Sequence, residues 1–305
     1  MLKTYHSKSD VTKAQIQMHI SILLWGLTAV LGKAIHLDGI MLVWYRMIIV
    51  SVSLFLYIQL TGRSFKVTRQ NFKRLTFVGV LLMVHWLCFY GAVKSSNVSI
   101  TLSVFSSTTL FTALIEPLIT RKRFNKMELL YSFMAMAGIG LIFYSDENFY
   151  TKGIILALLA AFIGAFFNIL NKGIVNELES SVVSFYEILM GLLALTVVVP
   201  FHIHFMGPET QSSILPATTD WLLLFVLAIL CTHVTLILSL NALRHLSAFT
   251  LNLAINLEPI YGIALAFLIF KENEHLNVWF FVGTAIIMLS VVLHSYFEGK
   301  ARNQS

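Results

Sequence analysis

The sequence predicts an all-α membrane protein with ten transmembrane helices, arranged as two inverted repeats of five helices. Three observations lead to this fold class. The 305-residue chain contains ten apolar stretches of about twenty residues each, which is the length that a bilayer core requires of a helix. Its composition is 57% hydrophobic and only 12% charged. Its basic residues are concentrated in alternate connections between the apolar stretches.

Each predicted span is a run of roughly twenty mostly apolar residues. In chain order the spans are 15–35, 39–60, 72–93, 98–119, 127–145, 153–172, 182–203, 220–242, 248–270 and 276–296. The first run has full length and no small-residue cleavage site after it, so we expect a retained span rather than a signal peptide. The longest connection, 206–219, contains Gly207, Pro208 and Pro216 and is typical of a surface loop. Little chain remains for a soluble domain, so function is expected among the helices.

The positions of the charges predict the orientation of the spans. Connections on one side carry 16 basic residues, and connections on the other side carry Lys94, Lys152 and Lys271 beside several carboxylates. Because basic connections stay in the cytoplasm, both termini are predicted to be cytoplasmic, namely the tails 1–14 and 297–305. The net charge of +6 is explained by this topology, so a nucleic-acid partner is not expected.

Faint internal similarity suggests two halves, 15–145 and 153–296. Ala92-Val93-Lys94 resembles Ala242-Leu243-Arg244, and Tyr45-Arg46 in span 2 aligns with Tyr186-Glu187 in span 7. Because five is an odd number, the second half would enter the membrane from the opposite side. Many secondary transporters share this arrangement, with the substrate bound near the midplane between the halves.

Loose motifs distributed over the whole chain make it similar to a known family. They are Trp25-Gly26 and Lys33 in span 1, Arg46 in span 2, the small-residue opening of span 4 after Ser95-Ser96-Asn97, the stretch from Leu257-Glu258-Pro259 to Phe270-Lys271-Glu272 in span 9, and Gly283 in span 10. Through them the chain resembles the drug/metabolite transporter superfamily, specifically the ten-helix exporters of the EamA type. The resemblance implies export of small metabolites, amino acids or drugs across the bacterial inner membrane. Two positions depart from the pattern, since Lys122 replaces a helix-end glutamate and Thr109 a mid-span proline.

Three ionisable residues at membrane depth are candidate substrate contacts, because a charge there needs an internal partner or a water-filled cavity. Arg46 lies about seven residues, or roughly 10 Å, inside span 2, and its planar fork suits a carboxylate. The alternative for Arg46 is a structural ion pair or a bond to free helix carbonyls. Glu187 and Glu258 can each accept an ammonium group or carry a coupling proton, or can instead be protonated, hydrogen-bonded carboxyls. Pro259 removes a helical hydrogen bond beside Glu258, which predicts a kink.

Further candidates are histidines, amides and aromatic residues. His85 and His233 occupy nearly equivalent places in the two halves, where they either line the pathway or are satisfied core histidines. Asn168 and Asn256 lie on amide-bearing helix faces that line a cavity or join helices. Trp25, Tyr45, Tyr90 and Tyr261 are aromatic residues near these polar groups, where rings can stack on an organic substrate or simply pack. No metal-ligand spacing accompanies the histidines, and neither a metal nor a cofactor is expected.

These features favour a secondary transporter of small organic metabolites that alternately opens a central cavity to each side. The expected partners are a small-molecule substrate, the lipid bilayer and a coupling proton, and no obligate protein partner is evident. The sequence contains no nucleotide-binding motif of the Walker type, so a gradient would supply the energy. The alternatives are a flippase for a lipid-linked sugar headgroup and an intramembrane lipid-modifying enzyme. The enzyme is disfavoured because no nucleophile, aspartate-rich or zinc motif is present.

Overall fold

The computed structural model describes residues 8–121, 124–144, 150–205, 214–271 and 277–303, and no strand occurs among them. In chain order the helices are α1 (Lys8–Ala34), α2 (Gly39–Leu60), α3 (Arg69–Ser95), α4 (Val98–Phe105), α5 (Thr108–Thr120), α6 (Lys126–Tyr144), α7 (Thr151–Ile174), α8 (Ser180–Phe205), α9 (Thr218–Ala228), α10 (Thr235–His245), α11 (Ala248–Ile255), α12 (Glu258–Phe270) and α13 (Val278–Asn303). A π-helical segment, Ile229–Val234, joins α9 to α10 without a break. The predicted all-helical fold class is confirmed.

Within the described residues, eight helical segments are long and apolar enough to cross a bilayer. They are Ser9–Ala34, Gly39–Leu60, Arg69–Ser95, Val98–Thr120, Thr151–Ile174, Ser180–Phe205, Thr218–His245 and Ala248–Phe270. A multi-pass helical membrane protein is therefore established. The described apolar part of α13, Val278–Ser290, is shorter, and α6 is not among the eight. The predicted count of ten spans and the inversion of the two halves stay predictions.

Two of the eight segments are broken near the middle by a turn with shorter hydrogen bonds. In the segment formed by α4 and α5, the Ser107 N–H donates to the carbonyl of Val104 at 3.0 Å. In the segment formed by α11 and α12, the Leu257 N–H donates to the carbonyl of Ala254, also at 3.0 Å. Both bonds span three residues instead of four, which tightens the helix by one 3₁₀ turn. Each segment is thereby divided into two half-helices.

A kink is expected at Pro259, and the helix is broken just before this residue, which lies in the first turn of α12. Proline is well suited to that position, because it has no N–H to leave unpaired and its φ angle is already helical. The break between α4 and α5 has no proline. There the Thr108 hydroxyl donates to the carbonyl of Phe105 at 2.6 Å and satisfies a carbonyl at the break.

The two broken segments have matching bounds. The limits of α11 and α12 are those of α4 and α5 shifted by 150 residues. Both segments end at a residue in the left-handed conformation, Arg121 with φ 54° and Lys271 with φ 55°. This agreement is the pattern that an internal repeat would produce. Lys122 and Glu272, which follow these two residues, lie outside the described part of the chain. Residues 206–213 of the predicted surface loop 206–219 also lie outside it.

Close backbone contacts join helices from the first and second parts of the chain. A Cβ atom at Gly138 of α6 would lie 2.5 Å from the carbonyl oxygen of Gly283 in α13. A Cβ atom at Gly79 of α3 would collide with the carbonyl of Glu187 in α8. Small residues allow such approaches in membrane proteins, where dispersion forces between helices must replace the hydrophobic effect.

Candidate functional site

A central cavity of about 90 Å³ lies among helices from both parts of the chain. Its volume is sufficient for several water molecules. Most of the wall is apolar or aromatic, and a few polar side chains interrupt it. The predicted residues that line it are Trp25, Arg46, His85, Asn168 and Glu258.

Arg46 of α2 lies at the wall of this cavity with 2% of its surface exposed. Its Nε donates to the Thr232 hydroxyl at 2.7 Å, and its Nη1 donates to the Tyr90 hydroxyl at 2.6 Å. The guanidinium carbon lies 3.9 Å from the centre of the Trp86 ring, a cation–π contact. No carboxylate lies within 4.0 Å of this guanidinium in the described part of the chain. Arg46 is thus fixed by neutral groups, and among the described residues no carboxylate pairs with its remaining N–H groups.

The π-helical segment Ile229–Val234 positions the partner of Arg46. The Thr232 hydroxyl donates to the carbonyl of Leu227, five residues earlier, at 2.7 Å. Its lone pairs therefore remain available to the Arg46 Nε–H. Single π-helical turns widen a helix locally and often occur at functional sites. This turn also brings Cys231 and Thr235 to the cavity wall.

Glu258 is the first residue of α12, and its side chain lines the cavity with 4% of its surface exposed. Among the described residues it has neither an ion pair nor a side-chain hydrogen bond. Thr108, the first residue of α5, lines the same cavity. The first residues of both second half-helices therefore lie at the cavity wall, where the N-terminal end of a helix favours negative charge.

His85 of α3 lines the cavity beside the Phe89 and Phe105 rings. Its Nδ1 lies 2.8 Å from the carbonyl oxygen of Ala160. A carbonyl oxygen can only accept, so Nδ1 carries the hydrogen, and in the neutral ring Nε2 is an acceptor. Trp25 of α1 is held by a bond from its Nε1 to the Thr235 hydroxyl at 2.9 Å.

A chain of amides and hydroxyls joins the cavity wall to the half-helices. Asn168 of α7 donates to the Asn252 side-chain oxygen at 2.5 Å, and Asn252 of α11 donates to the Thr112 hydroxyl of α5 at 2.7 Å. Asn256 donates to the Thr109 hydroxyl at 2.8 Å and is buried away from the cavity lining. The amides therefore connect α5 to α11, and only Asn168 of the two predicted amides lines the cavity.

Five other predicted residues lie away from the cavity lining. His233 bonds to the Ser53 hydroxyl at 2.8 Å, and Tyr45 packs edge-on against Trp44 and Trp221. Tyr90 is fully buried and contacts the site through Arg46, and Tyr261 is 39% exposed on the outside of the bundle. Glu187 is buried between α8 and α7, where Asn171 donates to its carboxyl at 3.4 Å. Substrate contact by these residues, like that by the cavity residues, stays a prediction.

Sequence reasoning missed Thr232 and Thr235, which anchor Arg46 and Trp25. The detectable signal was two threonines three residues apart, which share one face of an otherwise apolar helix. Of the two candidate histidines, His85 lines the cavity and His233 does not. Within the described ranges no group of three or more His, Cys, Asp or Glu residues could hold a metal ion.

The chain is similar in sequence to known transporters and to a transporter family. The EamA-like transporter family matches residues 12–144 and again residues 151–296. The uncharacterized transporter YxxF of Bacillus subtilis is 25% identical over 268 residues, covering 85% of this chain and 82% of that protein. A probable sugar phosphate/phosphate translocator of Arabidopsis thaliana is 25% identical over 246 residues, covering 79% of this chain and 67% of the relative.

A solved crystal structure has the same fold. It superposes with a TM-score of 0.71 at 15% sequence identity, covering 95% of this chain and 99% of the other. The family match extends over nearly the whole chain and over all the cavity-lining helices. This chain therefore belongs to the EamA-like transporter family.

Proposed function

We propose that this transporter moves small organic molecules bearing an anionic group, amino acids and related compounds among them, by alternating access. The observation that carries the proposal is Arg46, a permanently charged group at membrane depth without a protein carboxylate within ion-pair distance in the described residues. A buried cation is costly unless an anion is supplied. A substrate carboxylate or phosphate can bind the free edge of the guanidinium.

The remaining groups of the cavity suit the rest of such a substrate. Glu258 can accept an ammonium group, and Asn168 and the Nε2 of His85 offer further hydrogen bonds. The aromatic and aliphatic wall suits an organic body. The name of the Arabidopsis relative describes the translocation of sugar phosphate and phosphate. Both of these compounds are anionic.

Alternating access is supported by the position of the cavity and by the half-helices beside it. The lining combines α1 to α5 with α7, the π-helical segment, α10, α11 and α12, so relative movement of the two parts of the chain would change its opening. The breaks at Ser106 and Asn256 are natural places for such bending. Export from the cytoplasm, an inner-membrane location and cytoplasmic termini complete the proposal, on the basis of the family resemblance and the charge asymmetry.

The proposal is tested by counterflow in proteoliposomes loaded in turn with labelled amino acids, sugar phosphates and nucleosides. We expect at least one anionic or zwitterionic compound to exchange. Arg46→Ala should reduce its exchange about tenfold to 100-fold, because a hydrogen-bonded charge contributes roughly 1.5–3 kcal/mol. The matched control is Arg63→Ala, which removes a partly exposed ion pair with Glu179 outside the cavity lining and should leave exchange unchanged. Exchange that is insensitive to both Arg46→Ala and Glu258→Gln would exclude this site.

A further inference from the structure

A second ionisable site lies outside the cavity. The Glu187 side chain has no exposed surface, and its Oε1 has no hydrogen-bond partner among the described residues. Its Oε2 accepts one long bond of 3.4 Å from the Asn171 amide. The Asn171 side-chain oxygen is also buried and without a partner in the described part of the chain. Two neighbouring groups thus have acceptors in excess of donors.

The charged and titratable groups on the helices around Glu187 bond to groups other than its carboxyl. On α3, Arg74 pairs with Glu177 at 3.1 Å and His85 bonds to Ala160. On α2, Arg46 binds Thr232 and Tyr90. On α7, Lys172 donates to the carbonyls of Leu243, Arg244 and Leu246, and on α10, Arg244 donates to the carbonyl of Leu178. On α8 itself, the Tyr186 hydroxyl donates to the carbonyl of Phe65, and His245 at the end of α10 has a contact of its own.

A carboxylate in these surroundings would be a buried anion without a cation within 4.0 Å among the described residues. Such a charge is costly at membrane depth, so these surroundings favour a neutral carboxyl that holds a proton. A protonated carboxyl can also donate to an amide oxygen, whereas a carboxylate can only accept. The proton therefore supplies the donor that the Glu187–Asn171 pair lacks.

The surroundings of Glu187 depend on the contact between α3 and α8. The backbone of Glu187 lies directly against Gly79 of α3, and Gly191, one turn further along α8, lies against Gly79 and Met83. These helices belong to different matches of the family, 12–144 and 151–296. Relative movement of the two parts would separate this contact and admit water to the carboxyl, which favours its ionised form.

We propose that Glu187 and Asn171 form a proton-binding site, separate from the substrate cavity, that couples the movement of the two parts to a proton gradient. This proposal rests on the alternating access described above. In the closed α3–α8 arrangement the Glu187 O–H bond is intact. When the contact opens to water, that bond breaks, the proton passes to water, and the carboxylate remains until a proton returns from the other compartment.

Infrared difference spectroscopy of the full-length protein in lipid vesicles tests the protonation directly. The carbonyl stretch of a protonated carboxyl is separated from that of a carboxylate. We expect a protonated-carboxyl band at neutral pH that is absent in Glu187→Gln and retained in Glu116→Gln, which changes the same group near the end of α5. A spectrum in which Glu187→Gln removes no such band overturns the proposal.

Asn171→Ala provides a second test that keeps the carboxyl, in case Glu187→Gln does not fold. Removal of the Asn171 amide should shift the frequency of the same band, since the hydrogen bonding of the carboxyl changes. An unshifted band overturns the pairing of Glu187 with Asn171.

Coupling is tested with Cys231, a native buried thiol at the cavity wall. In a Cys88→Ser background, its reaction with an impermeant maleimide applied from either side reports cavity opening. The labelling rate is measured in this background protein and in the same protein carrying Glu187→Gln. In the ratio of the two rates, the intrinsic pH dependence of the thiol cancels. We expect this ratio to change at least about threefold between about pH 5 and pH 9. A constant ratio overturns the coupling, whereas labelling from one side alone overturns alternating access and leaves the infrared result standing.

Discussion

At the scale of single residues, the central cation is held by groups that do not neutralise it. Arg46 is surrounded by two hydroxyls and an aromatic ring rather than by a carboxylate. A protein carboxylate in the same place would compete with an anionic substrate for the guanidinium. Neutral partners fix the orientation of the fork and leave its charge available, which is the property that a binding site requires.

Thr232→Val tests this positioning. Valine keeps the shape of threonine but removes the acceptor of the Arg46 Nε–H and the donor to the Leu227 carbonyl. We expect a loss of about 1–3 kcal/mol in the free energy of unfolding, because a buried donor on a charged group is left unpaired. We also expect weaker substrate exchange in the counterflow assay. Thermal unfolding of the solubilised protein measures the stability.

Thr196→Val is the matched control for Thr232→Val. The Thr196 hydroxyl bonds to Trp44 at 3.0 Å on an exposed face and has no charged partner. Its loss should cost less than about 1 kcal/mol and leave exchange unchanged. Equal effects of the two substitutions would show that Thr232 has no special relation to Arg46.

A pH effect is expected outside the membrane segments, at Glu177 in the connection between α7 and α8. Hydrogen bonds from Asn71 at 3.1 Å and from Arg74 at 3.1 Å hold the pKa of the Glu177 carboxyl below its usual range. A carboxyl whose folded pKa is depressed stabilises the protein above its unfolded pKa, and this contribution is lost as the pH falls through the folded value.

The difference in melting temperature between the parent protein and Glu177→Gln should therefore be present at neutral pH and vanish in acid. The difference should be small and reduced by salt, since the carboxyl is exposed. Glu179→Gln, which removes an exposed carboxylate paired with Arg63, serves as the comparison. A difference that persists unchanged into strong acid would contradict the assignment.

The sequence allowed the charged residues of the site to be predicted better than their partners. An arginine or glutamate in an apolar span is exceptional, so Arg46 and Glu258 could be recognised without coordinates. Threonine is common in such spans and carries no comparable signal. The role of Thr232 depends on a π-helical turn that no local residue preference specifies.

At the scale of helices, the length of the apolar runs predicted the spans, and Pro259 predicted a change in the helix beside it. Both predictions follow from local sequence. The break between α4 and α5 could not be predicted in this way, because it lies at Ser106 and Ser107 and has no proline beside it. That break matches the one at Asn256 in the second broken segment. It is stabilised locally by the Thr108 hydroxyl. Tertiary bonds from Asn252 of α11 and from Asn256, which follows α11, also stabilise it.

The contact of α3 with α8 requires glycine at its closest point. A methyl group at Gly79 would collide with the carbonyl of Glu187, which is backbone and cannot turn aside. We expect Gly79→Ala to lower the free energy of unfolding by about 1–3 kcal/mol, because the helices must move apart. Thermal unfolding in detergent measures the effect.

Gly140 of α6 is the matched control, because a Cβ atom there meets nothing within 4 Å. Gly140→Ala should be neutral or stabilise the protein by up to about 1 kcal/mol, since alanine has the higher helix propensity. If Gly79→Ala is as well tolerated as Gly140→Ala, the α3–α8 contact is not tightly packed in the membrane.

At the scale of the whole molecule, the proposed mechanism depends on whether each half has an odd or an even number of spans. The two family matches are separated by a short connection after α6. If α6 crosses the bilayer, the first half has five spans and the second half is inverted. If α6 does not cross, the halves are parallel, and the cavity would not lie between oppositely oriented repeats. Helix α6 is also one of the two predicted spans that length and composition alone do not establish.

Single cysteines on the two sides of α6 decide this point. Lys126 begins α6 and Lys152 lies in the first turn of α7, and both are exposed. In a background with Cys88→Ser and Cys231→Ser, we expect Lys126→Cys to react with an impermeant maleimide only from the cytoplasmic side and Lys152→Cys only from the opposite side. The charge asymmetry of the connections sets this direction. Reaction of both positions from the same side would place α6 outside the set of crossing helices, and the inverted arrangement of the halves would then be wrong.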